Sequence, residues 1–183
     1  MSRMTGTLRI APAASAATAV AVGPATRAFL AVAALGAGLL HAALAPSAPP
    51  ALLAAFLTLS LAELGWAAGT LARDRPFVFR MVPALALLPV GLWAALAVAG
   101  ATASGGTVLS LPLVPMGAAS VLDVAVAATA AVVLRRDRTV RDQSGLRFFV
   151  SLVLSACVVC AVTIPALGLT DAGIAAVTVH HHH

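Results

Sequence analysis

Five long apolar runs separated by short clusters of arginine leave this chain few folds to choose from. The runs extend from Ala28 to Ala45, from Ala51 to Ala72, from about Met81 to Ala99, from about Pro112 to Leu134 and from Phe148 to about Leu169. Each meets the requirement of roughly 17 to 25 apolar residues for a helix that crosses a bilayer. In lipid only helices and closed barrels satisfy every backbone N–H and C=O, and these runs lack the strict alternation of barrel strands. Composition agrees: 61% of residues are hydrophobic and 9% charged, whereas about a quarter of a water-soluble domain is charged. The expectation is an all-α, polytopic integral membrane bundle of five transmembrane helices.

The arginines set an orientation. All eleven basic residues are arginine, and with five spans every one falls on the same side of the membrane: Arg3, Arg9 and Arg27, then Arg73, Arg75 and Arg80, then Arg135, Arg136, Arg138, Arg141 and Arg147. The other side carries the Pro-rich turn Pro46-Ser47-Ala48-Pro49-Pro50, the loop around Ser104-Gly105-Gly106 and the tail after Leu169. Because positive loops stay inside, the N-terminus is expected in the cytoplasm and the C-terminus outside. Residues 1–27 then form a cytoplasmic segment, 28–169 the bundle and 170–183 an extracytoplasmic tail. The alanine-rich stretch Ile10 to Gly23 is too short to span and is expected in the cytoplasm or along the interface. A rival reading takes Met1 to Ala45 as a signal peptide ending in Ala43-Leu44-Ala45, which would leave four spans. Arginines dispersed between spans do not make a basic face, so no nucleic-acid partner is expected.

Ionisable groups in a span cost about 2.5 to 3.5 kcal/mol on insertion scales, which makes those that are present candidates for function. At 1.5 Å per residue, Glu63 falls roughly 18 Å and Asp123 roughly 16 Å below the outer end of their spans, and His41 only about 6 Å below its own. Two carboxyls at matching depth suit a proton or ion pathway; bonded instead to Thr58, Ser60 or Ser120, they would only fix helix packing. His41 is a candidate metal or haem ligand, with Glu63 as a second donor, and copper or zinc would suit such donors.

Cys157 and Cys160 put two sulfurs on one face of the fifth span, where they could form a dithiol, hold Cu(I) or simply pack as small apolar groups. Gly65 and Gly69 make a GxxxG pattern in the second span, a spacing that lets helices approach closely within the chain or between chains. His180, His181, His182 and His183 are either a purification-tag remnant or a weak surface site for Zn²⁺, Cu²⁺ or Ni²⁺.

The Cys157-Val158-Val159-Cys160 motif is similar to the quinone-reducing dithiol of vitamin K epoxide reductases, multi-helix membrane enzymes. That family also uses a second cysteine pair in an extramembrane loop, and this chain has no other cysteine. A broader resemblance rests on Leu35-Gly36-Ala37-Gly38-Leu39-Leu40-His41-Ala42-Ala43-Leu44-Ala45-Pro46, on Trp93 and on Thr163-Ile164-Pro165-Ala166-Leu167. Together these resemble a family of small multi-span actinobacterial membrane proteins with a histidine late in the first helix and often a histidine-rich end. The resemblance implies a metal-related role for His41 and the terminal histidines. Pro49-Pro50 stands where the family pattern has a further histidine.

With no sizeable loops and incomplete catalytic sets, the first functional expectation is a non-enzymatic accessory or assembly subunit of a larger membrane complex. Its partners would be the lipid bilayer and other membrane subunits or further copies of itself. The alternatives are a metal-ion or proton pathway through the bundle and a membrane thiol oxidoreductase.

Overall fold

The computed structural model describes residues 22–73, 76, 78–102, 112–135 and 145–180. The readings placed on Ile10 to Ala21, the Ser104-Gly105-Gly106 loop, Arg3, Arg9, Arg75, Arg136, Arg138, Arg141 and His181 to His183 lie outside the described residues. Those described are helical, with no strand: α1 (Pro24–Leu44), α2 (Pro50–Ala72), α3 (Val82–Thr102), α4 (Leu113–Arg135), α5 (Gly145–Gly168) and α6 (Asp171–His180), with one 3₁₀ turn, Ala45–Ser47, between α1 and α2. By length and composition α1 with its 3₁₀ turn, α2, α4 and α5 can each cross a membrane, and α3 contributes a shorter apolar stretch, Val82–Val98. The chain is therefore an all-α bundle built from membrane-span helices, as its sequence predicts.

Local sequence explains the helix ends. Pro24 and Pro50 open α1 and α2, where a fixed φ suits the first turn and the missing N–H costs no hydrogen bond. α6, inside the segment expected as a tail, is capped by Thr170, whose Oγ1 accepts the Gly173 N–H at 3.1 Å while donating to Leu167 O at 2.7 Å.

The helices are arranged around α1. Leu30, Ala31, Ala33, Ala37, Leu40 and Leu44 are wholly buried and face in several directions, the pattern of a helix enclosed by others. α2, α4 and α5 pack directly on α1, and α3 packs on α4. Cleavage after Ala45 would thus remove the helix that the others surround.

The outer helices each bury one stripe. On α4 it is Met116, Ala119, Leu122, Asp123, Val126, Ala127 and Ala130, and on α5 Ser155, Val159, Thr163 and Ala166, both at the three- and four-residue spacing of a helix face. Their outer faces are apolar too: Leu61, Leu113, Leu146 and Ile164 are all more than three-fifths exposed. In water that surface would drive aggregation, and in a bilayer it meets hydrocarbon.

Close packing depends on two α1 glycines. A Cβ on Gly36 would lie 2.6 Å from Val159 Cγ1, and one on Gly38 would lie 3.1 Å from Leu64 Cγ and 3.3 Å from Glu63 Cβ. Gly65, the first glycine of the GxxxG pattern, has nothing within 4 Å of its would-be Cβ and is exposed. Among the described glycines, the close approaches between long helices belong to α1, a further one is made by Gly173 of α6 against the Leu167 backbone, and Gly65 makes none.

Candidate metal centre

His41 of α1, Glu63 of α2 and Asp123 of α4 converge inside the bundle. One donor atom from each lies within 4.8 Å of the other two. His41 Nδ1 and Glu63 Oε2 are 2.9 Å apart. His41 and Asp123 are 2% and 3% exposed and Glu63 13%, so all three are withdrawn from the surface.

Each reaches this point for a local reason. Glu63 belongs to a buried α2 stripe of Phe56, Ser60, Ala67 and Thr70, which repeats every three or four residues. Asp123 lies on the inward stripe of α4 beside Leu122. His41 stands one turn beyond Gly38 on α1, and the bare Cα of Gly38 lets the Glu63 side chain come close. Phe56 completes the setting by stacking on the imidazole, with ring centroids 5.9 Å apart and planes inclined by 17°.

Counting from helix ends puts His41 about 12 Å shallower than Glu63, yet the two are hydrogen-bonded. The resolution lies in the Pro-rich connection. His41 is three residues from the end of α1 and Glu63 thirteen from the start of α2, so α2 begins about ten residues, or roughly 15 Å, beyond the end of α1. The 3₁₀ turn rises by about 6 Å. Ala48 and Pro49 then continue in extended conformation, with ψ of 151° and 154°, as residues preceding proline must. Leu44 and Ala45 are consequently buried under Phe56 and Met116, and His41 sits well inside the bundle.

The environment offers little compensation for charge. Arg27 is fourteen residues along α1 from His41, about 21 Å, and its guanidinium Nη1 donates to Arg73 O at 3.0 Å. Asp123 Oδ2 is buried with no hydrogen-bond partner among the described residues, an arrangement native interiors tolerate rarely. Thr58 donates to Ala54 O in its own helix at 2.8 Å, so its hydroxyl does not serve the carboxyls.

The donor set fits a small divalent cation. An imidazole nitrogen and two carboxylate oxygens from three helices match a three-ligand zinc site with an open fourth position. Bonds of about 2.0 to 2.2 Å put tetrahedral ligand atoms roughly 3.4 Å apart, so the 2.9 Å His41–Glu63 edge must open slightly while the edges to Asp123, within 4.8 Å, draw in. Two carboxylates would balance the charge of a dication, leaving the buried centre neutral.

Among the sequence candidates, His41, Glu63 and Asp123 are thus brought together. Cys157 and Cys160 are free thiols on the exposed side of α5, flanking the inward-facing Val159. Sequence reasoning missed Phe56 and Gly38. Phe56 lies seven residues before Glu63, on the same helix face, and that spacing was the available signal. Comparison with protein-family models, with curated proteins and with solved structures finds no match.

Proposed function

We propose that this chain is a membrane protein of the transport class that holds one divalent transition-metal ion, Zn²⁺ in the first instance, on His41, Glu63 and Asp123. The observation that carries the reading is the convergence of three donors from three helices on a point where Asp123 Oδ2 has no hydrogen-bond partner among the described residues. Zinc is favoured over copper because imidazole and carboxylate suit Zn²⁺, whereas Cu(I) prefers sulfur, and both cysteines face outward. The described arginines lie at the starts of α1, α3 and α5 and the ends of α2 and α4. That distribution supports a cytoplasmic N-terminus.

The test is zinc stoichiometry after equilibrium dialysis, on protein from which residues 180–183 have been removed so that they cannot capture metal. The expected result is one Zn²⁺ per chain, with loss of binding in Asp123→Asn and Glu63→Gln, and zinc entry into proteoliposomes that both variants abolish. No more zinc on the parent protein than on the variants would refute the metal reading. Stoichiometric zinc without flux would refute transport alone. Native mass spectrometry of the same sample reads the accessory-subunit alternative, for which a co-purifying membrane subunit is the expected signature.

A further inference from the structure

Beside the cluster, between α2 and α3, is a cavity of about 470 Å³ floored by His41 of α1 and Met116 of α4, a size usual for small-molecule sites. α2 and α3 follow one another in the chain but are held apart, α2 resting on α1 and α3 on α4. Thr58, Leu88 and Leu92, exposed residues well inside their helices, edge the gap. Its mouth therefore opens through the side of the bundle, where a membrane protein meets hydrocarbon.

The walls are alkyl and aromatic, with Phe56 and Trp93 the largest side chains. Three side chains with polar atoms line the cavity: Trp93, whose indole N–H belongs to a half-buried wall residue, Thr58, whose hydroxyl is already donated to Ala54 O, and the more deeply buried His41. The Nδ1 of His41 is engaged by Glu63; its second ring nitrogen has no hydrogen bond among the described residues. The deepest polar group of an otherwise apolar cavity is thus a ring edge with unspent hydrogen-bonding capacity.

We propose that this cavity binds a neutral, lipid-soluble molecule that enters from the bilayer with a single oxygen-bearing head foremost and hydrogen-bonds to His41. The direction follows from where the polar atom sits. A phospholipid acyl chain would bring its methyl end to the floor and leave the histidine edge unmatched. An anionic head would approach the two carboxyls behind His41, and a cationic head would find no carboxylate in the walls. This inference does not depend on a cation at the cluster, because it concerns the edge of the imidazole that faces away from Glu63.

The test uses the full chain in bilayer nanodiscs with Trp66→Phe, which leaves Trp93 in the cavity wall as the remaining tryptophan. The probes are a long-chain primary alcohol with bromine at its far end, whose hydroxyl can donate to or accept from the imidazole nitrogen in either tautomer, the bromoalkane of equal length, and a phospholipid brominated on its acyl chain. Bromine quenches indole fluorescence at contact range. The expected result is saturable quenching by the alcohol, at roughly two- to tenfold lower concentration than the alkane, the effect of one net hydrogen bond. Ala62→Leu, which fills the cavity from α2, should weaken the alcohol, and His41→Phe should bring it level with the alkane. Should His41→Phe fail to fold, the alcohol-to-alkane comparison in the parent protein decides the same question. Equal quenching by alcohol and alkane, equally saturable quenching by the phospholipid, or indifference to Ala62→Leu would overturn the proposal. Zinc stoichiometry is measured separately, so failure here is distinct from failure of the metal reading.

Discussion

Replacing Gly36 with alanine tests the arrangement that brings the three donors together, because it loads α1 at its tightest contact. The added Cβ would stand 2.6 Å from Val159 Cγ1, 2.9 Å from Thr163 Oγ1 and 3.0 Å from Leu122 Cδ1. Ordinary carbon contacts are about 3.5 to 4.0 Å, so both α4 and α5 must give way. Overpacking of a filled core costs about 1–3 kcal/mol. Removing a glycine from a helix interior returns about 0.5–1 kcal/mol. The expected net effect is a destabilisation of about 0–2.5 kcal/mol.

Gly65→Ala supplies the matched control, since nothing lies within 4 Å of its Cβ; there the propensity gain stands alone, and a stabilisation of about 0.5–1 kcal/mol is expected. The two substitutions are chemically identical and should differ in sign. The assay is reversible unfolding in detergent micelles, with the double variant Gly36→Ala/Val159→Ala closing a thermodynamic cycle. Because Val159→Ala removes the nearest clashing atom, the Gly36→Ala penalty should shrink by half or more in that background, a coupling of the size neighbouring residues show. If Gly36→Ala stabilises the protein as much as Gly65→Ala, α1 does not approach α5 as described.

Two further outcomes follow from the placement of the candidate groups. Zinc competes with protons for the imidazole and both carboxyls, so the apparent affinity should fall steadily from about pH 8 to about pH 5; an affinity flat over that range, measured by chelator competition, would mean that the ion is held elsewhere. Cys157→Ser and Cys160→Ser, on the exposed side of α5, should leave zinc stoichiometry unchanged and alter stability by no more than about 0.5 kcal/mol. Loss of zinc from either variant would bring the thiols into the site.

The spans and their order were legible in the sequence because bilayer thickness and backbone satisfaction act on runs of twenty residues, and the observed boundaries differ from those runs by at most four residues, at the start of α1. Which residues meet was not legible in the same way. His41 and Glu63 stand at unequal distances from their helix ends, and counting kept them apart. Their meeting depends on a local event, a 3₁₀ turn followed by two extended residues, that Pro46, Pro49 and Pro50 impose on the connection. The same prolines read from sequence as an ordinary outer loop, because a turn and a rising connection share one composition. The glycines show the converse case. GxxxG spacing singled out Gly65 and Gly69 on α2, but close approach is a property of a pair of surfaces, and the surface enclosed on three sides is that of α1. The register of α1 against α2, α4 and α5 therefore decides whether three isolated polar residues in lipid remain separate liabilities or form one centre. In this chain that register depends on Gly36, Gly38 and a proline-rich connection, none of which carries a donor atom to the site.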